Sequence, residues 1–263
     1  MRSNTRYLII AAALASPTVT ACTSDSPSAP AHYVLVHGAW SNHTAWDAVA
    51  AKLRAAGAEV DALDLPGHGD DTTPVDQLSL SAYVDRVDAA IDAAPGEVIL
   101  VGHSAGGFVV SQAAEARPTK IRSVVFVGAF VPVTGQNLLG LSQMDTGSKI
   151  GPSLQNKGAT LGIDSAAFPD LFCADCGPDA RAALIASYRD EPAEPFTEPV
   201  TLAAGFGGLP KTYIHTTNDQ VISPAFQLQM TQATPMTHEY DLPTSHMAML
   251  AAPDDLAALL LQE

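Results

Sequence analysis

Positive charge is scarce in this 263-residue chain: 13 Lys and Arg stand against 28 Asp and Glu, for a net charge of −15 at pH 7. A surface of that sign repels nucleic acid and anionic lipid, and argues for solubility rather than a polyanion partner. It places no constraint on a neutral substrate. Charged residues of either sign make up only 16% of the chain and hydrophobic ones 47%, so a sizeable core is available. Beyond the N-terminal region no apolar run is long enough to span a bilayer, and no internal repeat is present. Cysteine is rare as well, with three residues, Cys22, Cys173 and Cys176. A zinc site at Cys173-Ala174-Asp175-Cys176 would need two more ligands at suitable spacing, and none is evident. No thioredoxin-like βαβ start surrounds the pair, which counts against a redox motif. A disulfide and two free thiols both stay open. No metal and no cofactor is expected.

The N-terminal thirty residues differ from the rest. Arg2 and Arg6 form a basic start, Tyr7 to Ala15 is a short apolar stretch, and Val19-Thr20-Ala21 places small residues before Cys22. The pattern is that of a secretory signal over residues 1–21, too short for a transmembrane helix. Its end resembles the lipobox of bacterial lipoproteins, in which cleavage leaves Cys22 first and lipid-modified. The alternative is an ordinary secretory signal cut near Ala21. Either way the expected location is outside the cytoplasm: anchored to the cell membrane by lipid on Cys22, or else secreted or periplasmic. Residues 22–31, rich in Ser, Pro and Ala, read as a flexible tether.

From His32 strands and helices alternate. His32–Val36, Glu59–Leu63, Val98–Val101 and Ile121–Phe130 read as strands. Between them, Thr44–Ala56 places Trp46, Val49 and Leu53 on one helical face, and Leu80–Ala94 does so with Tyr83, Val84, Val87 and Ile91. Strands separated by helices imply a mostly parallel sheet covered on both faces. The alternation lapses over residues 132–206, which are rich in Gly, Pro and short helical fragments, and resumes with Lys211–His215, Pro224–Thr231, His238–Leu242 and Pro253–Leu261. The middle segment is expected to be a cap over the carboxyl edge of the sheet, and residues 32–263 one domain.

Gly102-His103-Ser104-Ala105-Gly106 follows the third strand and opens the helix running to Ala116. Strand, tight turn and helix make it a nucleophile elbow, G-x-S-x-G, which lifts a serine out of the backbone at the sheet edge. A serine hydroxyl is a poor nucleophile near neutral pH and needs a base, and a third group to hold that base. On such folds the chain order is Ser, acid, His. His246, between the last strand and the last helix, fits the base, and Asp219, after the strand ending at His215, fits the acid. The oxyanion donors expected are the N–H groups of Ala105 and of Ala39, in the loop after the first strand. Gly38, Trp40, His103 and Met247 are candidate substrate contacts. His37 and His68 occupy loops near the same edge. His215 and His238 read as strand residues, and His32 and His43 have no evident role.

These residues carry a resemblance. Val34-Leu35-Val36-His37-Gly38-Ala39-Trp40, Ala62-Leu63-Asp64-Leu65, Val98-Ile99-Leu100-Val101-Gly102-His103-Ser104, Asn218-Asp219 and His246-Met247-Ala248-Met249-Leu250 resemble the α/β-hydrolase family of salicylate-binding-type plant methyl esterases, hydroxynitrile lyases and bacterial EstC-like esterases. The resemblance implies an α/β-hydrolase fold with its cap inserted after the sixth strand. It also implies Ser104, Asp219 and His246 as a triad, with Ala39 and Ala105 as oxyanion donors. The family's lyases carry threonine where Gly38 stands and lysine directly after the catalytic histidine, where this chain has Met247. Methionine cannot stabilise a cyanide leaving group, so an ester hydrolase is implied over a lyase. A haloalkane dehalogenase would need a carboxylate at position 104. The expected activity is hydrolysis of small to medium, largely apolar esters through an acyl-enzyme. The alternatives are a carbon–carbon lyase and a low-turnover ligand-binding protein on the same fold. The cap residues Leu138, Leu139, Leu141, Met144, Phe168, Leu171, Phe172, Tyr188, Phe196 and Phe206 either line an apolar pocket or pack the cap.

Overall fold

The computed structural model describes residues 30–263, so the expected signal segment, Cys22 and most of the expected tether lie outside the described residues. The chain enters on β1 (His32–Val36), passes a 3-10 turn (His43–Trp46) into α1 (Asp47–Ala55), and continues through β2 (Glu59–Leu63), α2 (Leu80–Ala93), β3 (Val98–His103), α3 (Gly106–Ala116) and β4 (Ile121–Val127). The cap holds α4 (Leu138–Ser142), β5 (Leu154–Asn156), β6 (Thr160–Ile163), α5 (Phe168–Phe172), α6 (Pro178–Ser187), β7 (Glu191–Pro192) and α7 (Ala204–Gly207). The chain then returns through β8 (Lys211–Thr216), α8 (Pro224–Ala233), β9 (His238–Leu242), α9 (Ala248–Ala251) and α10 (Pro253–Leu260).

Six strands form one sheet in the order β2-β1-β3-β4-β8-β9, every neighbouring pair parallel. Parallel neighbours must be joined by crossovers, and the amphipathic helices supply them. On the helical layers α1 packs beside α10, and α2 against α3. Helices on both faces explain why Val98–His103 is buried at every position. Local signals set the helix ends. The Ser79 hydroxyl caps α2 by accepting the Ala82 N–H at 3.0 Å, and Gly57 ends the turn after α1 at φ +92°.

Three features differ from the sequence expectations. β4 stops at Val127 instead of Phe130, because Gly128 turns the chain at φ +47° and the Phe130 N–H then donates to the Ser104 carbonyl at 3.1 Å. The cap contains a small antiparallel sheet, β5-β6-β7, beside its helical fragments. Its first hairpin turns at Gly158, φ +83°, a conformation that glycine adopts without strain. The cap leaves the sheet after the fourth described strand, not the sixth, because residues 32–127 supply only four strands before it.

The strand order creates the site. From β1 the chain moves outward to β2, then crosses back to β3 on the other side of β1. The loops leaving the carboxyl ends of β1 and β3 therefore diverge and open a crevice, the usual place for a ligand in such a sheet.

Candidate active site

The crevice brings together residues from four loops. Ser104 stands between β3 and α3 with φ +53°, a left-handed conformation uncommon for any residue but glycine. The strain persists because the surroundings over-determine it. The Gly107 N–H donates to the Ser104 carbonyl at 3.1 Å, as does that of Phe130. Close approach requires glycine nearby. A Cβ on Gly106 would lie 2.6 Å from the His37 carbonyl oxygen, and one on Gly38 2.6 Å from Ser104 Cβ. The first residues after β1 and β3 thus touch at the base of the crevice, where the loops begin.

His246 leaves β9 and Asp219 leaves β8, and both reach Ser104. His246 Nδ1 lies 2.7 Å from Asp219 Oδ2, and His246 Nε2 lies 2.9 Å from Ser104 Oγ. An ionised carboxylate only accepts, so Nδ1 carries the proton and Nε2 is free to accept from the serine hydroxyl. His246 is completely buried and Ser104 is 5% exposed. Asp219 is held from several sides. Its Oδ1 accepts from the N–H groups of Val221 (2.7 Å) and Ile222 (3.0 Å), and its Oδ2 also accepts from Thr216 Oγ1 (2.8 Å). The Gln227 side chain braces Thr216 from below, donating from Nε2 to Oγ1 at 3.0 Å.

Among the described residues no hydrogen bond takes the N–H of Ala39 or of Ala105. Ala105 stands at the N-cap of α3, where amide groups lack intrahelical partners and the helix end favours negative charge. Both alanines face a cavity of about 270 Å³, together with Ser104, Trp40, Leu138 and Phe196. Asp145 is the one charged side chain on its wall, and its oxygens are occupied by Ser223 and the Gly147 N–H.

Not every expected contact reaches this cavity. Trp40 lines it, and Gly38 lines a smaller hollow beside it. His103 does not; it is buried and its Nε2–H donates to the His246 carbonyl at 3.0 Å, so it supports the histidine loop from behind. Burial, then the neighbouring His246, push its pKa well below the usual value and keep it neutral. Met247 does not either. It is 1% exposed, and its N–H donates to the Phe172 carbonyl at 2.9 Å. Of the cap residues considered, Leu138, Leu139 and Phe196 line the cavity. Leu141, Phe168, Leu171, Phe172 and Phe206 are buried in packing, Met144 is exposed, and the Tyr188 hydroxyl binds Asp190. Cys173 and Cys176 form a disulfide.

The sequence reading missed Glu191. This cap residue is 2% exposed and accepts the Trp40 N–H at 2.9 Å, holding a backbone with φ +58° next to Ala39. It also faces His68 Nε2 at 2.9 Å and the Tyr83 hydroxyl at 3.3 Å. His68 Nδ1 meets the Pro66 carbonyl at 3.1 Å, so both ring nitrogens face acceptors, as an imidazolium requires. Burial opposes charge on each partner, and the opposite charge outweighs it: His68 is raised and Glu191 lowered. His37, beside them, is pushed down to about 3 by burial and by His68. It stays neutral, donating from Nδ1 to the Gly38 carbonyl (2.8 Å) and accepting the Leu65 N–H at Nε2 (3.2 Å). Nothing local marks Glu191, because its partners lie more than a hundred residues away.

The fold matches one class of protein. Residues 33–259 match the model of the alpha/beta hydrolase family, and the chain belongs to that family. It is 32% identical over 251 residues to salicylic acid-binding protein 2 of Nicotiana tabacum, covering 88% of this chain and 96% of that one. It is 30% identical over 246 residues to putative methylesterase 11, chloroplastic, of Arabidopsis thaliana, covering 88% of this chain but only 63% of that longer relative. Among solved structures, an extracellular alpha/beta-hydrolase from a Paenibacillus species superposes with a TM-score of 0.76 at 25% identity, covering 89% of this chain and 98% of that one. The chain stands with the carboxylic ester hydrolases of the family.

Proposed function

We propose that the protein is a serine ester hydrolase working through an acyl-enzyme. The observation that carries this reading is the unbroken line Asp219–His246–Ser104, with contacts of 2.7 and 2.9 Å. His246 Nε2 takes the proton as Ser104 Oγ attacks the ester carbonyl. The N–H groups of Ala39 and Ala105 receive the developing oxyanion; one such donor is worth about 3–4 kcal/mol. The protonated His246 gives its proton to the departing alcohol. Water then attacks the acyl-enzyme, with His246 again as base, and His246 returns that proton to Ser104 Oγ as the acid leaves.

The wall around Ser104 is largely apolar and carries no cation. A neutral ester suits it. At about 270 Å³ the space is at the small end for ligand sites, which favours short to medium chains. The lyase alternative gains no support, since Met247 packs into the core at the place of the lyase lysine. We also propose that the mature chain is extracytoplasmic and anchored to the membrane by lipid on Cys22, on the strength of its N-terminal sequence.

The test is hydrolysis of p-nitrophenyl esters of graded acyl length, with labelling by a fluorophosphonate. The wild-type enzyme is expected to turn over and to be labelled at Ser104. Ser104→Ala is expected to lose at least about 10³-fold in kcat and all labelling. Undiminished turnover in that variant would overturn the mechanism.

A further inference from the structure

Behind His246 the cap grips the loop that carries it. Asp175 accepts two hydrogen bonds from Ser245, one from the backbone N–H at 2.7 Å and one from the hydroxyl. The Phe172 carbonyl takes the Met247 N–H at 2.9 Å, on the other side of the histidine. The Ser245 hydroxyl oxygen, its one hydrogen directed at Asp175, lies 3.3 Å from the same carbonyl. The Phe172 ring stands edge-on to the imidazole with centroids 5.2 Å apart. The residues before and after His246 are thus both held by the segment from Phe172 to Asp175. The disulfide between Cys173 and Cys176 closes the residues directly after Phe172 into a small ring with Asp175 inside it. Arg181 pins the ring from α6, donating to the Cys173 carbonyl at 3.1 Å.

We propose that Asp175 is a positioning residue for His246, and that the Cys173–Cys176 disulfide keeps it in place. The proposal rests on the serine-hydrolase reading of the site. The physical argument is one of tolerance. The imidazole must stay within hydrogen-bond reach of Ser104 Oγ and Asp219 at once, and displacement of about 1 Å costs about 10²-fold in rate. The histidine loop is irregular, and the Asp175 carboxylate in the ring and the carbonyl of Phe172, the residue just before the ring, satisfy the amides on either side of His246. A four-residue ring has few conformations open to it, so the acceptors stay where the loop needs them. Asp175 itself is exposed, so it contributes aim more than burial.

Activity then depends on the redox state of the ring. A dithiol such as dithiothreitol attacks one sulfur, forms a mixed disulfide and closes on itself. The Cys173–Cys176 bond breaks, two thiols form, and the dithiol leaves as its own disulfide. Cys173 is completely buried, so the accessible sulfur is that of half-buried Cys176.

The experiment uses the full chain, with active sites counted by fluorophosphonate labelling and kcat expressed per labelled site on p-nitrophenyl acetate. Asp175→Ala is expected to lower kcat per site about tenfold with KM changed less than twofold. Asp175→Asn, which keeps one acceptor, loses less. Dithiothreitol is expected to lower the wild-type kcat severalfold and reversibly, and to leave Cys176→Ser, already at the reduced level, unchanged. Fewer labelled sites at an unchanged kcat per site would mean a purely structural role and overturn the proposal. An equal kcat in oxidised and reduced enzyme would overturn the part assigned to the disulfide. A wild-type chain that is not labelled at Ser104 would overturn the serine reading first, and this proposal with it.

Discussion

The side chain at the centre of the site has neighbours that leave it little freedom. Ser104 keeps a left-handed backbone, and Gly38 makes room for it: a Cβ there would lie 2.6 Å from Ser104 Cβ and 2.9 Å from His103 Nδ1. Gly38→Ala is therefore expected to fold and to lose about 10²-fold in kcat, since either contact must move toward 1 Å of displacement. Circular dichroism and steady-state kinetics check the two halves of that statement. Ser104, Asp219 and His246 were legible in the sequence because each sits at a strand end with a local signature: an elbow, an Asn-Asp turn, a loop before the last helix. His103 and Met247 lie next to catalytic candidates, yet point into the packing instead of the cavity. Proximity along the chain says nothing about which way a side chain faces.

Elements carry the next layer. The cap is seated by a buried ion pair from β7 to the loop after β2, Glu191 to His68. Removing one partner strands the other charge, so Glu191→Gln is expected to cost about 3 kcal/mol, or a Tm lower by about 10 °C. The pH dependence follows from the shifts. His68 is raised above 6.5 in the fold, so its share is complete below pH 6.5 and is lost as pH rises through the folded value. Glu191 is lowered below 4.5, so its share is complete above pH 4.5 and is lost as pH falls through the folded value. Melting curves of wild type and variant should differ most between pH 4.5 and 6.5 and converge on either side. A gap that grows steadily up to pH 9 would refute the pair. The sheet strands and their helices were readable from periodicity. The cap sheet was not, because strands as short as Glu191–Pro192 have no period to detect.

For the whole molecule, the proposed location outside the cytoplasm rests on the N-terminal sequence. With lipid on Cys22, the full chain is expected to partition with membranes and to move to the soluble fraction as Cys22→Ser. Detergent-phase separation reads the difference, and an unchanged distribution would sink the lipid anchor. Within the described residues no helix is long and apolar enough to cross a membrane, so in this scheme any attachment comes from the tether. The charge of −15 leaves a neutral ester as unimpeded as any other uncharged solute.

What the sequence determined alone was the order of strands and helices, the elbow, and the three residues that meet there. Hydrophobic period and turn chemistry are local, and the chain order of serine, acid and histidine follows from the order of the strands. Only the tertiary structure decided which residues hold those three in place. Glu191 reaches Trp40 across 151 positions and Asp175 reaches Ser245 across 70. Such contacts arise from how the cap folds back on the sheet, and no short stretch of sequence encodes that return.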